Sequence, residues 1–349
     1  MKILLCGLGS IGQRHARLLR QLLGDTVELH AFRQRGLDIV IQDNMTILPG
    51  AKPEPHYGLT GHTSLAVALA VRPDAVFVTN PISLHVPVAQ RAAESGCHLF
   101  IEKPVGDNLA GLTELLDTVH RHRLVAVAGY QLRFHPALQQ IKAWLAAGVL
   151  GRVLSANIHF GEWLPGMHPY EDYRLSHAAR RDQGGGAILC LSHEIDYACW
   201  LFGWPQEVSA LGGKFGSLEM DVEDTADLFF EGHLAGHGFP VTVHVDFLQR
   251  PARRTCLIVG DAATVEWDSV ANRLWLTRAA DRTREEITFA GFTRNDMFLG
   301  ELRNFLGSIA GREQSVCPLA EGIHTLRVCL AARAALTARC PIALPPTLP

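Results

Sequence analysis

The chain has 349 residues, 48% hydrophobic and 19% charged, with 32 Lys plus Arg against 35 Asp plus Glu and a net charge of −3. At about 150 residues per domain this length predicts two domains, and the apolar fraction excludes a disordered chain. The balanced charge excludes an electrostatic footprint for nucleic acid, and no run approaches the ~18 apolar residues of a membrane span.

The apolar stretch near Met1 is too short for a signal peptide and no small-residue cleavage site follows it. Eight cysteines lie scattered with no C-x-x-C spacing, which reads as reduced thiols in a cytoplasmic protein.

In chain order, short apolar runs at 2–6, 27–32, 75–78, 98–101 and 125–128 predict strands. Helix-period segments at 11–23, 65–71, 86–95 and 109–120 lie between them. Strands without polar alternation, separated by amphipathic helices, predict a doubly wound parallel sheet of the dinucleotide-binding kind. From about residue 150 the pattern changes: strand-like runs at 208–215, 226–230, 241–248, 255–259, 264–267 and 273–276 follow one another directly. They predict an α+β region with an antiparallel or mixed sheet. Helices are predicted at 193–202, 297–309 and 319–335, the last returning to pack on the first domain, and 341–349 as a loose Pro-rich tail. The expected division is 1–129 for dinucleotide binding and 130–340 for substrate binding and oligomerisation.

Gly7-Leu8-Gly9-Ser10-Ile11-Gly12 is a G-x-G-x-x-G after the first strand and opening the first helix. Gly7 permits the tight turn, Gly9 the approach of backbone N–H groups to a pyrophosphate, and Gly12 close helix–strand packing. An acid at the end of the second strand would accept from the 2′-hydroxyl of NAD, whereas arginine suits the 2′-phosphate of NADP. Here Arg33 and Arg35 leave that strand and Glu28 lies too early, so the reading leans to NADP over NAD. Thr79, Asn80, Pro81 and His85 follow the strand at 75–78, and Glu102-Lys103-Pro104 ends the strand at 98–101. Both fall at carboxyl ends of strands, where ligands bind in such sheets. His168, His177, Cys190 and His193 lack the close spacing of a zinc motif, so no metal is expected.

These segments, with Gly129 to Pro136 and Gly184-Gly185-Gly186 followed by His193-Glu194-Ile195-Asp196, resemble the Gfo/Idh/MocA family of oxidoreductases over nearly the whole chain. The resemblance implies a Rossmann domain followed by an α+β domain with an open, largely antiparallel sheet that often forms homodimers or homotetramers. It implies hydride transfer at a hydroxyl or carbonyl of a sugar, sugar nucleotide or polyol. It carries Lys103 over as the residue binding the reacting oxygen and His193 as a general acid/base. Asn80, His85 and Glu102 match positions on the nicotinamide-ribose side.

Many members place an aspartate four residues before the histidine, and this chain has Leu189 there, with Cys190 at the neighbouring spacing. Asp196, one helical turn after His193, is the expected substitute for orienting the imidazole. Arg133, Tyr173 and Arg174, together with His193, are expected to bind substrate, since guanidinium forks suit carboxylate or phosphate. A cofactor-binding regulator and an NAD-dependent glycosidase are the alternatives on the same scaffold.

Overall fold

The computed structural model describes residues 1–34 and 38–345. Six strands form a parallel sheet: β1 (Lys2–Cys6), β2 (Glu28–Phe32), β3 (Leu59–His62), β4 (Ala75–Val78), β5 (His98–Glu102) and β6 (Ala126–Gly129), in the order β3-β2-β1-β4-β5-β6. Helices α1 (Ser10–Leu23), α2 (Leu65–Ala70), α3 (His85–Glu94) and α4 (Leu112–Arg121) supply the crossovers. The strand order reverses between β1 and β4, which opens the crevice at their carboxyl ends. Strands buried on both faces need apolar residues at every position, and all four residues of β4 are buried.

After helix α5 (Pro136–Ala146), strand β7 (Val153–Gly161) and helix α6 (His193–Phe202), the remaining strands follow almost without interruption. They are β8 (Glu207–Gly213), β9 (Thr225–Leu234), β10 (His237–Asp246), β11 (Arg253–Gly260), β12 (Ala263–Asp268), β13 (Arg273–Arg278), β14 (Arg284–Thr288) and the short β15 (Ile342–Ala343). The sheet order is β14-β13-β12-β11-β7-β10-β9-β8-β15. Every pair is antiparallel except β7 with β10. In β7 Ala156, Ile158 and Phe160 are buried while Asn157 and His159 face outward, the alternation of a sheet covered on one side.

Two helices close the chain: α7 (Arg294–Ile309) and α8 (Leu319–Ala338). Helix α8 touches both β6 and β8, so it lies between the sheets. Gly322 lets it do so, because a Cβ there would stand 2.5 Å from that of Ala128 and 2.8 Å from a Val105 methyl. Helix α7 also packs on the first sheet, setting Phe305 edge-on to Phe77 and Phe100.

Strands β3, β7 and β14 go beyond the runs read from sequence. Leu59–His62 is short and contains a glycine, and it extends only because β2 offers it a parallel edge. The expected loose tail is also corrected in part: Ile342 and Ala343 pair with Val208 and Glu207, and 346–349 lie outside the described residues. Among the described residues no helix is long and apolar enough to cross a membrane.

Candidate active site

The glycine loop between β1 and α1 is built from three different constraints. Gly7 has φ +113°, and a Cβ there would meet the Thr79 carbonyl oxygen at 2.7 Å. At Gly12 a Cβ would stand 2.1 Å from the Gly7 oxygen. Around Gly9 a Cβ would meet nothing within 4 Å. The first two glycines serve the chain's own packing, while the third borders open space. Thr79 seals the turn by donating from Oγ1 to the Gly7 oxygen at 2.8 Å. The first α-helical bond of α1 is Gln13 N–H to Gly9 oxygen at 3.0 Å, and no side chain caps the helix. The N–H groups of Ser10, Ile11 and Gly12 are therefore available to an anion. The Ser10 hydroxyl itself donates toward the Met45 sulfur at 3.5 Å.

Across the crevice, the Asn80 carbonyl Oδ1 is buried with no hydrogen-bond partner, beside Pro81. An orphaned buried acceptor is costly unless a ligand meets it. His85 is buried and bridges two backbones: Nδ1 lies 2.8 Å from the Pro104 oxygen and Nε2 2.8 Å from the Asn80 oxygen. It ties the Asn80 turn to the segment carrying Lys103. The uncapped helix, the open space at Gly9 and the unpartnered Asn80 fit a dinucleotide lying across the strand ends.

Lys103 donates from Nζ to the carbonyl of Cys190, which holds the amine beside the start of α6. Loss of hydration is the main effect on this amine and lowers its pKa, opposed by nearby acids including Glu102 and Glu194. His193, at the first turn of α6, is 7% exposed. Burial, then the charges of Lys103, Arg254 and Arg294, holds its pKa well below the usual histidine value, so the ring is neutral. His193 Nε2 lies 3.1 Å from the Gln131 amide nitrogen, and Nδ1 is buried without a partner. With that amide donating, Nε2 accepts and Nδ1 carries the proton, aimed at no group of the chain.

The expected imidazole partner is elsewhere. Asp196 accepts from Arg133 Nε at 2.9 Å and Nη2 at 2.8 Å, and from the Thr325 hydroxyl at 2.9 Å. Arg133 is fully buried and also reaches the Val316 carbonyl and Glu321. Neither residue has the role expected for it: Asp196 does not orient His193, and Arg133 is closed to substrate. Leu189 is wholly buried, and the side chain hydrogen-bonded to the imidazole is Gln131, with the Tyr130 ring edge-on to it. The Cys190 thiol, pushed up to about 12 by burial, is no nucleophile.

The other expected substrate residues form a salt-bridged rim. Arg174 is half exposed and pairs with Asp172 and Glu219, and the Tyr173 hydroxyl accepts from the Glu219 N–H at 3.0 Å. At the end of β2, Arg33 pairs with Asp38 at 2.9 Å and Glu54 at 2.5 Å. Arg35 lies outside the described residues.

Three participants were not singled out from sequence in these roles. His15 on α1, wholly buried among Phe77, Phe100 and Phe298, holds Glu102 Oε1 at 2.8 Å and so faces that carboxylate inward. Gln131 touches His193. Arg254 on β11 donates from Nε to the buried Glu194 at 2.7 Å, with its guanidinium 3.7 Å above the Phe160 ring. His15 carried a sequence signal, a polar residue on the core side of the first helix, and Gln131 lies within the Gly129 to Pro136 segment.

Residues 1–130 match the oxidoreductase family with an NAD-binding Rossmann fold, and residues 138–266 match the GFO/IDH/MocA C-terminal domain. D-glucoside 3-dehydrogenase of Escherichia coli is 31% identical over 156 residues, 44% of this chain and 42% of its own. 2,7-anhydro-N-acetylneuraminate hydratase of Mediterraneibacter gnavus is 28% identical over 158 residues, 45% and 41% of the two chains. The chain thus spans about two-fifths of the length of these curated relatives. Levoglucosan dehydrogenase in complex with NADH and levoglucosan superposes with a TM-score of 0.83 at 18% identity over 99% of each chain. The WlbA dehydrogenase of Bordetella pertussis, in complex with NADH and UDP-GlcNAcA, gives 0.80 at 21% over 99% of each. At these identities the likeness is one of fold.

Proposed function

Because the chain belongs to the GFO/IDH/MocA family of oxidoreductases, we propose that it is a nicotinamide-dependent dehydrogenase or reductase. Its substrate is a hydroxyl or carbonyl carbon of a sugar, sugar nucleotide or polyol. The observation that carries this reading is the convergence of Lys103 and His193 on one crevice beside the uncapped, glycine-opened helix. The carbohydrate names of the relatives support the substrate class. In this reading residues 1–129 carry the cofactor, and 130–340 carry the substrate and self-association. Leu211, Phe229 and Leu257, exposed on the outer sheet, support a homodimer or homotetramer.

The N–H groups of Ser10, Ile11 and Gly12 would hold the pyrophosphate and Asn80 the nicotinamide-ribose end, while Glu102, turned inward to His15, accepts from the Lys103 N–H and fixes that turn. A nicotinamide bound there supplies the hydride acceptor for oxidation or the donor for reduction. In the oxidation direction the Lys103 amine, its pKa lowered by desolvation, takes the hydroxyl proton, and in reduction it returns it. The Cys190 carbonyl fixes that amine. His193 donates from Nδ1 to the same oxygen, held by Gln131 at Nε2.

Cofactor choice is revised from the lean to NADP. Asp38 and Glu54 both pair with Arg33 Nη2, and Lys52 is 3.3 Å from Asp38, so a 2′-phosphate at Arg33 would meet two carboxylates. NAD(H) is the preferred form in this reading.

The test is incubation with NAD(H) or NADP(H) and a panel of sugars, sugar acids and sugar nucleotides, following nicotinamide absorbance and product. Substrate-dependent absorbance change is expected. Dinucleotide binding without any turnover would favour the regulator, and glycoside cleavage without net absorbance change would favour the glycosidase.

A further inference from the structure

A second constellation lies on the outer face of the nine-stranded sheet, and the proposed oxidoreductase chemistry does not use it. His159 on β7 and His244 on β10 are direct partners in the parallel pair, and their rings stack at 4.6 Å with 12° between planes. Asp246 follows two residues after His244 and turns to the same place. One ligand atom from each of the three lies within 4.8 Å of the others. The sequence could not show this set, because 85 residues separate the two histidines.

The surroundings are those of a site prepared for a cation. His244 Nδ1 is 2.8 Å from Asp227 Oδ1, while Nε2 is 3.0 Å from Asp246 Oδ2. A neutral imidazole has one N–H. Once Nδ1–H donates to Asp227, the Nε2 lone pair faces a carboxylate oxygen, and a positive charge between them, either a second proton on the ring or a bound metal ion, removes the repulsion. A carboxylate on the far nitrogen is the usual outer partner of a metal-bound histidine. Asp246 is fixed in the same manner: its Oδ1 accepts from the N–H groups of Leu248 at 2.6 Å and Gln249 at 2.7 Å. That leaves Oδ2 for His244.

Gln249 Oε1 closes the set, 2.6 Å from His159 Nε2. The space in which these oxygens meet is made by Gly161, where a Cβ would lie 2.2 Å from Asp246 Oδ2 and 2.5 Å from Gln249 Oε1.

We propose that His159, His244 and Asp246 bind one divalent transition-metal ion, zinc by the ligand set, with Gln249 Oε1 or a water as fourth ligand. Two imidazoles and a carboxylate are borderline ligands suited to zinc in a tetrahedral site. Ligand atoms around such an ion stand ~3.3 Å apart at bond lengths of ~2.0 Å. Small side-chain rotations within the present spacing therefore complete it. The ion would cross-link β7, β10 and the turn after β10, clamping the parallel pair in an otherwise antiparallel sheet.

The test titrates the chelator-treated full-length chain with Zn²⁺ by calorimetry and with Co²⁺ by visible absorption. One ion per chain and a tetrahedral Co²⁺ spectrum are expected, with a rise in Tm. His159→Gln and Asp246→Asn should each weaken binding at least ~100-fold, and Asp227→Asn ~10-fold. His168→Gln, which alters a histidine outside the set, should leave it unchanged. His159→Gln changes a partly exposed side chain and keeps the test decisive should an Asp246 variant fail to fold. Absence of stoichiometric Zn²⁺ binding, or equal affinity in the wild type and His159→Gln, overturns the proposal. Dinucleotide affinity measured on the same samples reports separately on the oxidoreductase reading.

Discussion

Arg133 and Asp196 form a two-pronged ion pair in the interior, Nε to Oδ2 at 2.9 Å and Nη2 to Oδ1 at 2.8 Å, with neither side chain more than 1% exposed. The pair joins the segment after β6 to α6, and Thr325 and Glu321 extend it to α8. Removing one partner of such a pair leaves a buried charge without compensation, at a cost of about 3–5 kcal/mol. Asp196→Ala should therefore lose stability on that scale in urea denaturation, while the folded fraction keeps its dinucleotide affinity. Unchanged stability with a large fall in kcat would return Asp196 to the catalytic group.

Lys103→Ala should leave the fold and dinucleotide binding nearly intact and lower kcat/KM by at least ~100-fold, the scale of a proton-transfer group. Desolvation places the amine's titration below that of ordinary lysine. Alcohol oxidation in the wild type should accordingly rise with pH through an apparent pKa below the usual lysine range. That rise should vanish in the variant. A pH profile identical in both proteins would remove Lys103 as the proton acceptor.

The three loop glycines should separate on substitution. Gly9→Val places its side chain in open space, so the protein should fold and fail to bind dinucleotide. Gly12→Val drives a Cβ to 2.1 Å from the Gly7 oxygen and should destabilise the fold itself. Circular dichroism and calorimetry distinguish the two losses. Unchanged cofactor affinity in Gly9→Val would mean that the loop is only structural.

Paired dissociation constants for NAD(H) and NADP(H), at low and high salt, check the ribose rim. The wild type should prefer NAD(H). Glu54→Gln removes one of the carboxylates on Arg33 and should move the preference toward NADP(H) by about tenfold, because a charge-assisted bond to phosphate is worth roughly 1.5–3 kcal/mol before screening. A wild type that already binds NADP(H) more tightly would show that the phosphate displaces the carboxylates.

His135 is 3% exposed, and its Nδ1 accepts from the N–H of Ala137 at 3.1 Å as the cap of α5. Burial, and secondarily Arg254, lowers it to about 4. The unfolded chain, with histidine near 6.5, binds more protons between those values. Stability is thus fully present above about pH 6.5 and is lost as pH falls through about 4, by about 3 kcal/mol from this group. His135→Asn keeps a cap and should flatten that slope in denaturation curves collected across the range.

His193 became a candidate only through the family resemblance, while the glycine loop, the alternation of strands and helices to residue 129, helix His193–Phe202 and the candidate Lys103 at a strand end were legible in the sequence. Each rests on local chemistry: a turn that excludes a Cβ, a period that buries one face, a charged residue at the end of a buried strand. Chain proximity could not decide which groups those side chains meet. Asp196 sits one turn from His193 in sequence, yet Arg133, 63 residues away, takes its carboxylate. Arg33 looks like a phosphate ligand until Glu54, 21 residues on, folds against it. His159 and His244 are ordinary outward residues of two strands until parallel pairing sets them side by side. Burial raises the cost of an unmatched charge, so the partner for each is chosen by the packing of distant segments, and that choice exists only in the folded chain.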